Sequence, residues 1–207
     1  SKGEDLYVNL FINSELEVET SGGKLIISQQ STYPWEGHIA IEFLNEKEVE
    51  AGLHIRIPGW ALNDAVPSDL FRFADKQESQ PVLKVNGKEA EIKLEQGYAV
   101  LHGAWKKGDK ITLELPMEDR VIVAHEEVEA KTGLLAVQYG PVVYCAEEID
   151  NNVDVLGTGI RTDSRFESEF VPGLLGGVNM LTGEQIKLIP YYAWANREVG
   201  KMNVWFK

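Results

Sequence analysis

The residues of this chain whose types could do chemistry are one cysteine, four histidines and five tryptophans. Cys145 lies in an apolar stretch followed by Glu147 and Glu148, whose negative charge raises the pKa of a nearby thiol. A nucleophilic cysteine needs a cation, a histidine or a helix amino terminus to lower its pKa, and the local sequence supplies none. The sequence therefore predicts that Cys145 is a buried structural residue.

The histidines and carboxylates do not form a sequence motif for catalysis or metal binding. The four histidines fall in different predicted strands, without the short spacing typical of metal ligands: His38, His54, His102 and His125. Adjacent carboxylates such as Glu126 and Glu127 arise by chance in a chain with 33 acidic residues, and they indicate a solvated face. The sequence also has no phosphate-binding loop, dinucleotide motif or catalytic-triad signature, so no metal or cofactor is predicted.

The tryptophans allow two interpretations. Aromatic rings on a β surface can stack on the faces of sugars, and Trp35, Trp60 and Trp105 lie at strand ends or turns, where they could form such a platform. A tryptophan at the end of a strand also commonly closes the hydrophobic core of a sandwich. The structural interpretation is favoured, and sugar contact by these three residues is the alternative.

Strands and tight turns are clearest between residues 82 and 117. Asn86-Gly87 is the dipeptide that best tolerates the positive φ angles of a two-residue hairpin turn. Gln96-Gly97 and residues 105–109 predict two further reversals, and residues 111–115 alternate strictly between apolar and polar. This pattern predicts antiparallel strands with one buried face.

The whole chain predicts an all-β protein made of two antiparallel β-sandwich domains of jelly-roll or immunoglobulin-like type. The residue pattern of the sequence changes after Met117, which predicts domain 1 over residues 1–117 and domain 2 over residues 118–207. Periodicity is lost between residues 61 and 80. Within that stretch the apolar residues at 70, 71 and 73 favour an ordered excursion that packs onto a neighbour over a mobile insertion.

Charge and length exclude several classes of partner. Twenty basic and 33 acidic residues give a formal net charge of −13, which argues against nucleic acid or an anionic membrane surface, because both attract basic patches. No apolar run is long enough to span a bilayer, and the first five residues contain no signal-peptide core. A predicted strand that begins at residue 6 indicates a cut made inside a longer protein.

A series of sequence blocks in a fixed order resembles a known family. The blocks lie at residues 6–12, 33–37, 53–61, 85–87, 97–98, 105–109, 115–117, 140–145 and 190–197. Together they resemble the non-catalytic part of the bacterial β-L-arabinofuranosidases, glycoside hydrolase family 127 and its relatives. Single blocks are short, but their order is specific, and the resemblance covers nearly the whole chain.

The resemblance implies an upstream (α/α)6 barrel with the active site, followed by two β-sandwich domains, of which this chain resembles only the sandwiches. In that family a cysteine nucleophile in a zinc-bound site and a glutamate acid/base lie on the barrel, and no position here matches those motifs. The implied function is a non-catalytic accessory region that supports the barrel and contributes to an oligomer interface. The implied parent is a retaining hydrolase of plant-derived, arabinose-containing glycans.

Two other functions stay open at this point: a stand-alone carbohydrate-binding module, and an adhesion or scaffold sandwich of immunoglobulin type. The expected partners are the upstream barrel, a second copy of the chain or a plant glycan, with neither nucleic acid nor membrane. The bacterial cytoplasm, the periplasm and the exterior are all compatible locations. If the chain is an accessory region, apolar surface around Tyr7, Phe11 and residues 70–73 is the expected contact with the barrel.

Overall fold

A computed structural model describes residues 5–207 of the chain. The expectation about a signal peptide concerns the first five residues, of which residues 1–4 lie outside the described part. The strands are β1 (Asp5–Val8), β2 (Ser14–Thr20), β3 (Gly23–Ser31), β4 (His38–Phe43), β5 (Val49–Arg56), β6 (Phe71–Phe73), β7 (Val82–Val85), β8 (Lys88–Ala90), β9 (Leu94–Glu95), β10 (Tyr98–Trp105), β11 (Lys110–Glu114), β12 (Asp119–Ala124), β13 (Leu135–Tyr139), β14 (Val142–Glu147), β15 (Glu167–Val171), β16 (Val178–Thr182), β17 (Lys187–Pro190) and β18 (Met202–Asn203). Short 3-10 helices span Gly59–Leu62, Glu129–Lys131, Glu148–Asp150 and Tyr191–Ala193.

The predicted all-β fold is confirmed, and the chain divides into two compact units. Unit 1 consists of the residues up to 62 together with residues 79–116, and unit 2 consists of residues 63–78 together with residues 117–207. The predicted domain division after Met117 had placed residues 63–78 in the first domain. Within residues 5–207 no helix is long and apolar enough to cross a membrane.

Unit 1 is a sandwich of two sheets, with strand orders β1-β5-β10-β9 and β2-β3-β4-β11-β7-β8. The pairing is antiparallel except between β1 and β5, which run parallel with Leu6 opposite Leu53. Because side chains alternate between the faces of a strand, each sheet has one apolar face, and both faces contribute to one buried cluster. Phe43 of the larger sheet and Trp105 of the smaller one stack at its centre, with ring centroids 4.5 Å apart.

The tight turns of unit 1 have the backbone that their dipeptides predict. Asn86 and Gly87 join β7 to β8 with φ angles of 51° and 77°, and Gln96 and Gly97 join β9 to β10 with φ angles of 51° and 83°. Such left-handed angles are easy for glycine and tolerable for asparagine, which is why Asn86-Gly87 marks a reversal, and Gly97 gives the second turn the same freedom at its second position.

Unit 2 is built on one long sheet with the strand order β15-β16-β17-β14-β13-β12-β6, and β18 pairs separately with β14. Its core contains Tyr144, Leu181, Leu188 and Phe206, which are all fully buried. The aperiodic segment 63–78 is ordered, because β6 pairs antiparallel with β12 and places Phe73 opposite Ile122. The expected packing onto a neighbour holds for the strand Phe71–Phe73, whereas Leu70 is exposed.

Candidate functional site

Trp105 belongs to the core of unit 1. Only 5% of its surface is exposed, and its ring lies parallel to that of Phe43 with an interplanar angle of 2°. Its indole N–H donates a hydrogen bond to the carbonyl of Ala51 at 3.0 Å. A ring covered in this way has no free face for a sugar, so Trp105 acts as the structural interpretation predicts for a strand-end tryptophan.

Trp35 and Trp60 are half-buried in unit 1. Trp60 lies in the 3-10 helix Gly59–Leu62 and packs against the core cluster of that unit. Trp35 lies in the turn before β4, where its backbone N–H donates to the carbonyl of Thr32 at 2.9 Å. Sugar contact by these two tryptophans stays a prediction.

Cys145 lies on β14 and is fully buried. Burial raises the pKa of its thiol to about 12, and the charges of Glu147 and Asp150 add to the shift while Arg197 opposes it. A thiol with this pKa stays protonated near neutral pH, and the protonated form is a poor nucleophile. The position therefore agrees with the structural role that the sequence predicts for Cys145.

The structure brings only two of the four histidines near each other. The rings of His54 and His102 lie on the outer face of the smaller sheet of unit 1, with centroids 6.4 Å apart. His38 pairs with Glu114 at the surface of the other sheet, and His125 follows β12 in unit 2. Among residues 5–207 no group of three or more His, Cys, Asp or Glu side chains could hold a metal ion.

An aromatic face that sequence reasoning missed lies on β1, β5 and β10. Tyr7 stacks on His54 with ring centroids 4.3 Å apart, and Tyr98 meets Tyr7 edge-on at 5.3 Å. The Tyr98 hydroxyl donates to the side-chain oxygen of Asn9 at 2.8 Å. The signal was present in the sequence, since Tyr7, His54 and Tyr98 alternate with buried neighbours. The three residues could be assigned to one face only once the pairing of β1, β5 and β10 was known.

One groove of unit 1 is polar. It has a volume of about 680 Å³ and crosses the outer faces of β2, β3 and β4. Its lining is rich in hydroxyl, amide and charged groups, including Asn13, Ser28, Gln30, His38 and Lys110. Such a surface can offer hydrogen bonds to a hydroxyl-rich ligand, although its lining contains no phenylalanine, tyrosine or tryptophan.

A buried ion-pair cluster organises one end of unit 2. Arg197 donates to Glu147 at 2.6 Å and to both carboxylate oxygens of Asp150 at 2.6 and 2.5 Å. The two carboxylates hold the pKa of Arg197 above its ordinary value. The other oxygen of Glu147 accepts the backbone N–H of Ala195 at 2.7 Å. This cluster fixes residues 191–197, which follow β17, against the end of β14.

Comparison with known proteins identifies the family. Residues 5–117 match the family model described as the β-L-arabinofuranosidase GH127 middle domain, and residues 119–207 match that of the glycoside hydrolase family 127 C-terminal domain. The chain belongs to glycoside hydrolase family 127. The predicted resemblance is thereby confirmed.

Relatives of this family 127 chain are much longer than the chain itself. It is 32% identical to a non-reducing end β-L-arabinofuranosidase of Bifidobacterium longum subsp. longum, over 87% of this chain and 30% of that protein. A solved GH127 β-arabinofuranosidase superposes with a TM-score of 0.94 at 33% identity, covering 100% of this chain and 35% of the other. A GH127 β-L-arabinofuranosidase from Geobacillus stearothermophilus T6 gives a TM-score of 0.85 at 31% identity, covering 99% of this chain and 34% of that one. The chain thus spans about a third of these relatives.

Proposed function

We propose that this chain is the non-catalytic accessory region of a family 127 glycoside hydrolase and supports an upstream catalytic domain. The observation that carries the proposal is the match of its two halves to the middle and C-terminal domains of the family, in that order. The chain covers about a third of the relatives' length, and a middle domain implies a further domain before it. The expected (α/α)6 barrel with the active site is that domain.

The chemistry of the described residues supports a non-catalytic role. The one cysteine is buried with its thiol pKa raised to about 12, so it is poorly suited to attack a glycosidic carbon. The carboxylates of Glu147 and Asp150 are both paired with Arg197. A retaining hydrolase needs two carboxyl groups, or a comparable nucleophile and acid/base, facing one open site.

The parent enzyme, on this proposal, hydrolyses β-L-arabinofuranosides of plant-derived glycans. The support is that the relatives are described as β-L-arabinofuranosidases. The accessory region would position and stabilise the catalytic domain rather than contact the reacting bond. A homo-oligomer formed through the same region is a further part of the proposal.

The apolar contact expected around Tyr7, Phe11 and residues 70–73 needs correction at two positions. Phe11 and Phe73 are buried inside their own units, with 5% and 6% of their surfaces exposed, because each packs into a core. The exposed apolar side chains near them are Leu10, Ile12 and Leu70. These three replace the two phenylalanines as candidate contacts of an upstream domain.

The experiment that tests the proposal compares the 207-residue chain with the natural longer protein on a chromogenic aryl β-L-arabinofuranoside. We expect hydrolysis only by the longer protein. As a matched control, Cys145→Ala in the longer protein should leave kcat unchanged, since the thiol takes no part in the reaction. Hydrolysis by the 207-residue chain alone would overturn the proposal.

Carbohydrate binding without catalysis is a second candidate function, and the polar groove of unit 1 is the observation that favours it. A neutral glycan is compatible with the net charge of −13. Titration of the 207-residue chain with arabinan in a calorimeter tests it, with Gln30→Ala as the groove variant. Binding heat with the unchanged chain that is lost in Gln30→Ala would support this function. The absence of binding heat with the unchanged chain would reject it.

A further inference from the structure

Unit 2 exposes aromatic and aliphatic side chains around the ion-pair cluster of Arg197. On the segment that follows β17, Tyr191, Tyr192 and Trp194 are 43%, 62% and 42% exposed. Ile149 and Val199, which are close in sequence to Asp150 and Arg197 of the cluster, are 44% and 108% exposed. They line one pocket of about 220 Å³, together with Gly200 and the charged residues Glu147, Glu148, Glu198 and Lys201. We call the five exposed apolar side chains the apolar patch. Exposed large apolar side chains concentrated in this way typically mark an interaction site.

The backbone beneath the patch is held rigidly. Ala193 is buried between the exposed aromatic residues, and the side-chain amide of Asn196 donates to its carbonyl at 2.9 Å. Ala195 takes a φ of 60°, which a residue other than glycine adopts only where surrounding contacts impose it. The N–H of Ala195 and the guanidinium of Arg197 are both fixed by Glu147. A patch fixed before binding loses little conformational entropy when a partner covers it.

The chemistry of the patch favours a protein surface over a sugar. Sugar sites combine an aromatic ring with free carboxylates or amides that bind hydroxyl groups. Here both carboxylates of the cluster are already paired with Arg197, and Glu148 accepts the backbone N–H of Lys201 at 3.0 Å. Glu198 is the remaining carboxylate in the lining of the pocket. Ile149 and Val199 add aliphatic surface that a sugar does not need. Tyrosine, tryptophan and aliphatic side chains together are typical of the buried centre of a protein interface.

The size of the patch indicates whether its partner is an independent protein or a domain of the same polypeptide. Complete covering of the five side chains would bury roughly 500 Å², which is less than the ~800 Å² per partner of a stable independent interface. A domain on the same polypeptide needs less area, because tethering supplies an effective concentration in the millimolar range. The relatives carry about two thirds of their length outside the region that this chain matches.

We propose that the apolar patch is the docking site of unit 2 for the upstream catalytic domain of the same polypeptide. This inference rests on the proposed accessory function and names a surface of unit 2 that contributes to it, in addition to the candidate contacts at Leu10, Ile12 and Leu70. The Arg197 cluster is then a positioning element, because it fixes the backbone of the segment that carries Tyr192 and Trp194.

Hydrogen exchange tests the proposal on the 207-residue chain and on the natural longer protein. We expect the backbone amides of residues 191–199 to exchange at least about tenfold more slowly in the longer protein. The double variant Tyr192→Ser/Trp194→Ser should lower the Tm of the longer protein and leave that of the 207-residue chain unchanged. Leu156→Ser, at a side chain 50% exposed in the same unit, is the control and should change neither Tm.

Three results would overturn the proposal. Equal exchange of residues 191–199 in both proteins would show that no upstream domain covers the patch. An equal loss of Tm on introducing the double variant into both proteins would show that Tyr192 and Trp194 only stabilise unit 2 itself. The 207-residue chain could instead bind arabinan or self-associate as its concentration rises. If the double variant abolished either behaviour, the patch would belong to that other occupant. The aryl arabinofuranoside assay is independent of all three, so the accessory function can stand when the docking site fails.

Discussion

At the scale of single residues, burial decides what the thiol of Cys145 can do. The folded state raises its pKa to about 12, whereas the unfolded thiol ionises near pH 8.5. The stabilising contribution of the protonated folded thiol is therefore complete below about pH 8.5, and it is lost as the pH rises toward 12. We expect iodoacetamide at pH 8 to modify the native chain at least roughly a hundredfold more slowly than the urea-unfolded chain, as followed by mass spectrometry. Comparable rates would contradict the buried position.

Trp105 shows the same dependence on burial for an aromatic residue. Trp105→Ala removes a ring that stacks on Phe43 and bonds Ala51, so we expect the free energy of unfolding to fall by about 3–5 kcal/mol. Trp105→Phe should cost less, because it keeps part of the stack and loses the hydrogen bond. Urea unfolding followed by circular dichroism measures both changes. Leu94→Ala, at a side chain 45% exposed, is the control and should stay within about 0.5 kcal/mol. A cost for Trp105→Ala as small as this control would contradict the core position.

At the scale of elements, the turn at Asn86-Gly87 depends on a side chain as well as on backbone geometry. The Asn86 amide donates to the carboxylate of Asp109 at 3.0 Å, and its side-chain oxygen accepts the N–H of Lys110 at 2.8 Å. Asn86→Ala loses both bonds and keeps an unfavourable positive φ, so we expect a loss of about 1–3 kcal/mol in urea unfolding. Gly87→Ala should cost about 1 kcal/mol, since its Cβ meets open space and only the φ of 77° is strained. Asn86→Ala should therefore cost more than Gly87→Ala, and a cost no larger than that of Gly87→Ala would contradict a contribution from the side-chain bonds of Asn86.

The same turn separates what the sequence could predict from what it could not. The dipeptide Asn86-Gly87 and the alternation at residues 111–115 are local signals, so hairpins and an all-β fold followed from them directly. The bond from Asn86 to Asp109 and the pairing of Arg197 with Glu147 join residues 23 and 50 positions apart. No local pattern encodes such contacts, because they arise only when distant strands pair. For the same reason the sequence could not show that Trp105 faces inward or that Tyr191, Tyr192 and Trp194 face outward.

At the scale of the whole molecule, the segment 63–78 belongs to unit 2 although it interrupts the sequence of unit 1. Each unit has its own hydrophobic cluster, and among the described residues the two clusters share no member. The buried ring of Phe73 supports unit 2, where the Arg120 guanidinium lies 3.7 Å from its centroid. Removing that ring takes packing from β6 and β12 and leaves the cluster of unit 1 intact.

Phe73→Ala and Leu83→Ala therefore make a matched pair of core truncations, one in each unit. Each should cost about 3–5 kcal/mol in the unit that contains it. In hydrogen exchange, Phe73→Ala should speed exchange in β12 and β13 and spare β4 and β11, and Leu83→Ala should do the reverse. Leu70→Ala, at a side chain 48% exposed beside β6, should leave all four strands unchanged. Faster exchange in β4 and β11 of Phe73→Ala would mean that the segment 63–78 is coupled to unit 1. A domain boundary after Met117 would then describe the stability of the chain better than the two compact units do.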